Sequence, residues 1–210
     1  MEQPYTVCIG RQYGSGGREV GQLVAKKLGI TCYDKLLIHE AAKKSGMDEA
    51  YLEKNDESLK DMLLPFSGNL FADTADMSGI FYFAGDHAYN AEKQAIQSIA
   101  QRESAVIIGR CASSILSKNK NVLSVFLYGN EEDCVARIAA RNDLNQKAAR
   151  ERMEKVNRMR RRYFNFYAMT QWGTPESYDA MLSTSALGTQ GCAEAIVCLL
   201  EQKLGVKCHE

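Results

Sequence analysis

Net charge and long apolar runs are both missing from this sequence, and each absence excludes a class of protein. The chain has 26 basic and 26 acidic residues, so its overall charge gives no reason to expect nucleic acid or a membrane surface as a partner. No apolar run approaches the roughly 18 residues that a membrane-spanning helix needs. The first residues also lack the basic and apolar regions of a signal peptide. We therefore expect a protein of the cytoplasm that binds neither nucleic acid nor a membrane.

The cysteines lack the spacing of a metal site or of a disulfide framework. There are 7 of them, an odd number, and no two form a C-x-x-C pair. Several lie within apolar runs, where a thiol packs as a small hydrophobic group. Reduced thiols in a reducing compartment are therefore the simpler interpretation.

Short apolar, β-branched segments alternate along the chain with segments of helical period. The predicted strands lie at 5–9, 31–33, 105–109, 122–128 and 180–184. The predicted helices lie at 18–28, 35–45, 87–103, 131–142, 145–167 and 191–204. This alternation predicts an α/β protein whose parallel sheet has helices on both faces, and 210 residues suit one domain.

Residues 49–85 show no steady period. Large apolar side chains, such as Phe71 and Phe81, are mixed with glycine, asparagine, serine and aspartate. The composition fits three interpretations: an insertion that folds over a ligand such as the acceptor, a contact between the subunits of a homodimer, or a mobile flap. The sequence leaves all three open.

A glycine-rich segment between the first predicted strand and the first predicted helix is the strongest local signal. It holds four glycines in eight residues, from Gly10 to Gly17. Glycines let the backbone approach a ligand with its N–H groups pointing inward, and those groups together with a helix N-terminus bind phosphate oxygens. A strand-to-helix turn without a ligand is the alternative interpretation.

The segment departs from the pattern G-x-x-x-x-G-K-S/T of phosphate-binding loops. Arg18 and Glu19 stand where that pattern has its lysine and its hydroxyl residue. Arg18 supplies positive charge as a planar fork, whereas Glu19 is a poor substitute for a hydroxyl that binds magnesium. Ser15 is another hydroxyl within the loop, and the metal ligands stay unassigned.

Four segments together resemble the cytidylate kinase-like family, which is related to the P-loop nucleoside monophosphate kinases. They are GRQYGSGGREV from Gly10, Tyr33-Asp34-Lys35, Ile107-Ile108-Gly109-Arg110-Cys111-Ala112, and the arginine-rich run 158–163. The resemblance covers about residues 5–204, with 49–85 the weakest part. It implies a three-layer P-loop kinase-like fold: a parallel five-stranded sheet, helices on both faces and an arginine-rich lid at about 137–165.

The resemblance also implies roles for individual residues, with ATP and Mg²⁺ as cofactors and a small-molecule nucleotide as substrate. The implied catalytic residues are Arg18, Arg110, Arg158 and Arg160. The implied ATP contacts are Gly14, Ser15, Gly16, Gly17, Arg18, Glu19, Arg137 and Arg141. The implied acceptor contacts are Tyr33, Asp34, Lys35 and Arg110. In true cytidylate kinases an aspartate follows the glycine and arginine, and here Cys111 replaces it.

The arginine-rich run cannot place all its charges on one helical face. At about 100° per residue, Arg158, Arg161 and Arg162 share one side and Arg160 points elsewhere. The family pattern favours Arg158 and Arg160, which a straight helix separates. Plain structural roles are open too: a solvated basic face at 158–162, a helix cap for Asp34 and solvent exposure for Lys35.

Three hypotheses about function follow. The first is ATP-dependent phosphoryl transfer to a nucleoside monophosphate, with CMP or dCMP as the acceptor. The second keeps the same apparatus and changes the acceptor to another small metabolite. The third is a nucleotide-binding sensor or subunit without transferase activity, which the missing lysine and Cys111 favour.

Overall fold

A computed structural model of the chain describes residues 3–34 and 77–205, with side chains in the second range described from residue 89 onward. The chain forms two compact units, one comprising 1–35 with 96–210 and the other comprising 36–95. The predicted helix at 35–45, Lys35, and residues 49–76 of the aperiodic segment lie outside the described residues.

The described residues form one sheet of five parallel strands. The strands are β1 (Thr6–Arg11), β2 (Thr31–Tyr33), β3 (Ala105–Ile108), β4 (Val122–Tyr128) and β5 (Ala180–Ser183). Their order is β2-β3-β1-β4-β5, so β1 lies at the centre between β3 and β4. The predicted parallel five-stranded sheet is thereby confirmed.

Helices connect these strands. They are α1 (Gly17–Leu28), α2 (Met77–Arg102), α3 (Ala112–Ile115), α4 (Glu131–Asn142), α5 (Gln146–Tyr167) and α6 (Thr184–Leu204). Three differ from prediction by more than one residue: α2 begins at Met77 rather than near 87, α6 begins at Thr184 rather than at 191, and the short helix α3 was not predicted. The side chain of Ser183 accepts a hydrogen bond from Ala186 N–H and caps α6, and a kink at Gly188 hides this first turn from a periodicity analysis. In the described ranges, no helix combines the length and apolar character that a bilayer crossing requires.

The two faces of the sheet are buried by different partners, as the alternation of side chains along a strand dictates. Val7 and Ile9 of β1 point toward α1 and α6 and share one apolar cluster with residues of both helices, including Val24 and Ile196. On β4, Phe126 points the other way and contacts two other aromatic rings, at centroid distances of 5.1 and 5.0 Å. Each fully buried aliphatic side chain of this kind stabilises the fold by about 1.5–3 kcal/mol.

Gly14 is fixed by a left-handed backbone and by close packing at the same time. Its φ is 87°, and a Cβ atom there would lie 2.6 Å from the carbonyl oxygen of Cys134 in α4. Gly29, which ends α1, has a similar φ of 65°, but a Cβ atom there would meet nothing within 4 Å. The glycine-rich loop therefore requires Gly14 for contact with α4, whether or not a ligand binds.

We predict that Gly14→Ala lowers the free energy of unfolding by about 2–5 kcal/mol, since it adds a steric clash to the cost of a left-handed alanine. The matched variant Gly29→Ala should lose only about 1–2 kcal/mol, because it has the same backbone cost and open space. Urea denaturation of both variants measures the difference. Equal losses would show that α4 does not press on the loop.

Candidate functional site

The glycine-rich loop joins the end of β1 to the start of α1, as predicted. Gly16 precedes α1 with a φ of 73°, and the helix begins at Gly17. The first N–H groups of a helix have no partner within it, so the start of α1 presents donors to whatever lies above the loop. Ser15 is fully buried, and its hydroxyl donates a hydrogen bond to the carbonyl oxygen of Gln12 at 3.0 Å. The hydroxyl hydrogen of Ser15 is therefore used in a hydrogen bond within the loop.

The hairpin of α4 and α5, which corresponds to the predicted lid, is fastened to this loop. Three hydrogen bonds join them: Arg137 Nη1 to the carbonyl oxygen of Gly14 (2.5 Å), Tyr13 N–H to Asn157 Oδ1 (2.7 Å), and Arg160 Nη1 to the carbonyl oxygen of Arg11 (3.0 Å). The two helices pack on each other through Cys134, Ile138 and Met153. Lid movement stays a prediction, and these are the contacts that opening would break.

The two charged loop residues at the start of α1 are paired within the protein. Arg18 forms an ion pair with Asp34 at 2.6 Å, and the Arg18 side chain is 53% exposed. Glu19 accepts a hydrogen bond from the hydroxyl of Thr189 at 2.8 Å. The structure thus brings together Arg18 and Asp34, which the sequence had assigned to different parts of the site. An exposed pair of this kind contributes about 0–1 kcal/mol to stability.

The other predicted residues fall at separate places. The hydroxyl of Tyr33, at the end of β2, donates to Glu103 Oε1 at 3.0 Å, and burial together with this carboxylate raises the pKa of Tyr33. Arg141 is exposed in the last turn of α4. Arg158 is exposed on α5, whereas Arg160, two positions along the same helix, is half-buried against the loop. The helical period had separated these two arginines, and the structure does so.

Arg110 and Arg160 line a cavity together with a third arginine, Arg11. The cavity lies where β1 and β3 end, has a volume of about 60 Å³, and is bounded by the rings of Tyr163 and Tyr178 among others. Within the part of the chain that the structure describes, no aspartate or glutamate lines it. Three arginines therefore line one small space that no described carboxylate lines.

The backbone beneath Arg110 is strained. Gly109, Arg110 and Cys111 have φ angles of 78°, 52° and 55°, three consecutive left-handed residues of which two carry side chains. Such a conformation costs about 1–2 kcal/mol per non-glycine residue. It directs the guanidinium of Arg110 over the ring of Tyr163, 5.7 Å from its centroid. Strain of this kind is characteristic of functional sites.

Burial, and at Arg11 the charges of its two neighbouring arginines, define the electrostatics of the cavity. Burial, and then the charges of Arg160 and Arg110, lower the pKa of Arg11 to about 9, against the opposing effect of Tyr178 and Asp34. Burial lowers the pKa of Arg160 to about 10. Both groups therefore stay charged at neutral pH but at a cost that a bound anion would remove. The volume of about 60 Å³ exceeds the roughly 10–15 Å³ that one ordered water needs, so the cavity has room for a small oxyanion.

Arg11 and Tyr178 are site residues that sequence reasoning missed. The signal for Arg11 was present, because a cation directly after the central buried strand lies where open α/β sheets bind ligands. Because Arg11 also belongs to the glycine-rich loop, phosphate binding was predicted for the glycines of that loop and not for the side chain of Arg11. Tyr178 had no local signal, since a long-range contact decides its place: a Cβ atom on Gly10 would lie 2.6 Å from its ring.

The donor set does not fit a protein-held magnesium ion. No cluster of three metal-binding side chains occurs among the described residues. Cys111 is 4% exposed and stands where the resemblance implies an aspartate. Of the predicted carboxylates, Asp34 is paired with Arg18 and Glu19 with Thr189. Mg²⁺ commonly keeps most of its ligands as water and substrate phosphates, so none of these residues is assigned to it.

Comparison with known proteins identifies relatives across nearly the whole chain. The model of the cytidylate kinase-like family matches residues 6–186. No curated protein matches. The crystal structure of an uncharacterized protein from Eubacterium ventriosum is 26% identical, with a TM-score of 0.70, over 94% of this chain and 98% of that one.

Two solved kinases share the fold at lower identity. Shikimate kinase from Acinetobacter baumannii in complex with shikimate is 16% identical, with a TM-score of 0.52, over 96% of each chain. A gluconokinase from Sinorhizobium meliloti is 13% identical, with a TM-score of 0.52, over 96% of this chain and 97% of that one. These likenesses show the P-loop kinase-like fold, and the family match confirms the resemblance seen in the sequence.

We predict that the affinity of the cavity for sulfate, a tetrahedral dianion whose charge does not change with pH, is constant below about pH 9 and falls above it. Sulfate binds the charged guanidinium, so affinity is lost as Arg11 in the empty cavity loses its proton, by up to about tenfold per pH unit. Calorimetric titration at increasing pH measures this.

The matched variant is Arg11→Gln, in which the loss of affinity that begins at about pH 9 should be absent. Its affinity at neutral pH should already be lower than that of the unmodified protein. An affinity for sulfate that is the same at neutral pH and well above pH 10 would contradict the lowered pKa values.

Proposed function

We propose that this chain, which belongs to the cytidylate kinase-like family, is an ATP-dependent kinase that acts on a nucleoside monophosphate, with CMP and dCMP as the candidate acceptors. The single observation that carries the proposal is the arginine-lined cavity beside the glycine-rich loop, at the edge of the sheet where β1 and β3 end. Phosphoryl transfer requires neutralisation of charge and in-line positioning far more than covalent chemistry. Three guanidinium groups around a space for one oxyanion meet that requirement.

In the proposed mechanism the loop and the cavity divide the phosphates between them. The amides at the start of α1 bind the triphosphate of ATP. Mg²⁺ would supply further neutralisation of phosphate charge, and no described side chain is assigned to hold it. Arg110 and Arg160 bind the phosphoryl group as it passes to the acceptor, and their charge stabilises the transition state more than the ground state. The hairpin of α4 and α5 acts as the lid, with Arg137 held at Gly14.

The acceptor is proposed to approach from the end of β2. Tyr33 and Asp34 lie at the carboxyl end of that strand, on the same edge of the sheet as the cavity. Lys35 joins them from the sequence alone. Arg141 contributes through the lid, and Arg158, which is exposed, is the weakest of the proposed catalytic residues. A cytoplasmic location completes the proposal, since that is where nucleoside monophosphates occur as substrates.

A nucleotide-binding protein without transferase activity is the second candidate. Cys111 stands where true cytidylate kinases have an aspartate, and its side chain is buried. Arg18, at the position of the expected lysine, is paired with Asp34. Both features remove side chains that would bind metal or take part in catalysis, whereas the backbone amides of the loop remain in place to bind a nucleotide.

We predict that the purified protein consumes ATP when one of a panel of nucleoside monophosphates is present, and that Arg160→Met lowers kcat/KM by roughly 10²–10³ because it removes a transition-state contact. The matched control is Arg162→Met, which removes the same charge from an exposed position on the same helix. It should leave kcat/KM within about twofold. A coupled assay for ADP release measures both.

The panel also separates the hypotheses. If ATP is consumed with sugar or carboxylic acid acceptors but with none of the nucleoside monophosphates, the acceptor is another small metabolite. Binding of ATP without turnover on any acceptor would favour the second candidate. An equal loss of activity in both arginine variants would show that the charge of α5 acts in bulk and that Arg160 has no specific contact.

A further inference from the structure

We propose that Arg11, at the end of β1, supplies the phosphoryl-binding charge that a lysine supplies in loops of the pattern G-x-x-x-x-G-K-S/T. The inference deepens the proposed function and rests on it, because it assigns a residue of the same site. Position in the sequence would give this role to Arg18, which follows the last glycine of the loop. The contacts in the fold point instead to Arg11.

Arg18 is not an available cation. Its guanidinium is 2.6 Å from a carboxylate oxygen of Asp34, and more than half of its side chain is exposed to solvent. Asp34 offsets the positive charge of Arg18, so a phosphate would have to compete with that carboxylate. Water also screens the charge of Arg18, because the side chain is exposed. Arg18 is also absent from the lining of the arginine cavity.

Arg11 has a channel built for it by two glycines from different elements. A Cβ atom on Gly17, the first residue of α1, would lie 2.7 Å from the Cβ atom of Arg11. A Cβ atom on Gly109, after β3, would overlap Nη1 of Arg11. The side chain therefore runs from the head of α1 to the end of β3, where alanine at either glycine position would displace it. Gly17 in the loop and Gly109 before Arg110 thus both leave space for the side chain of Arg11.

Arg11 is also held beside a second cation. Its carbonyl oxygen accepts a hydrogen bond from Nη1 of Arg160 at 3.0 Å, and both side chains line the cavity. In the described ranges, neither guanidinium lies within ion-pair distance of a carboxylate. Two like charges that are partly removed from water repel each other unless an anion lies between them. The arrangement favours the anion-bound protein over the empty one.

A structural role is the competing explanation for Arg11. In that case its stem fills the space beside Gly17 and its guanidinium closes the cavity, so that no anion enters. The two explanations differ in sign. If Arg11 binds an anion, its removal should leave the stability of the empty protein unchanged or higher and should abolish stabilisation by an anion. If Arg11 is structural, its removal should destabilise the protein.

The test compares thermal unfolding in sodium phosphate with unfolding in sodium chloride of equal ionic strength at neutral pH. We expect phosphate to raise the melting temperature of the unmodified protein and of Arg162→Met, the control for the loss of one exposed positive charge. In Arg11→Met the phosphate-dependent rise should vanish, and calorimetry should give a phosphate Kd weaker by roughly ten- to a hundredfold. In Arg18→Met the rise should persist, with Kd changed less than about threefold.

Each other result overturns the assignment. Loss of the phosphate response in Arg18→Met with retention in Arg11→Met would return the role to Arg18. A destabilised Arg11→Met with an unchanged phosphate Kd would establish the structural role, and absence of any response in the unmodified protein would show a closed cavity. Should Arg11→Met fail to fold, Arg11→Gln keeps the polar reach without the charge, and an unchanged phosphate Kd there overturns the assignment equally. Since no turnover is involved, a failure of the nucleotide acceptor proposal would leave this result standing.

Discussion

The repulsion that Arg160 and Arg110 exert on the buried guanidinium of Arg11 is the interaction on which the site depends. Three cations line one cavity of about 60 Å³, and no described acidic side chain lines it. Hydrophobic burial of the sheet, between α1 and α6 on one face and aromatic rings on the other, stabilises the scaffold that holds them together. This arrangement has a local electrostatic cost, which a bound oxyanion would remove in the proposed function.

Backbone geometry sustains this arrangement. The left-handed run from Gly109 to Cys111 directs Arg110 into the cavity, and the absence of side chains at Gly17 and Gly109 leaves the path that Arg11 occupies. Arg160 reaches the same place from α5 through its bond to the carbonyl oxygen of Arg11. The site is therefore assembled from three separate parts of the chain, each with a different structural cause.

Most of the fold could be predicted from the sequence, since its causes are local. The apolar β-branched segments and the helical periods gave all five strands, the parallel arrangement, and α4 within its observed bounds, Glu131–Asn142. The start of α6 was missed because a side-chain cap and the kink at Gly188 replace periodicity there. Of the predicted catalytic residues, Arg110 and Arg160 both line the cavity, one predicted from its place after a buried strand and the other from the family pattern, and their catalytic roles stay predictions.

By itself, the sequence determined which segments form strands and helices and that a glycine-rich turn joins the first of each, because periodicity and glycine content act over a few residues. Only the tertiary structure decided which charges are compensated. Arg18 and Asp34 are 16 positions apart and meet as a pair, as their numbering and contact show. Arg11 and Arg160 are 149 positions apart in the sequence and line the same cavity. Charge compensation depends on the distances between charged side chains that are far apart in the sequence, and a local sequence pattern cannot predict those distances.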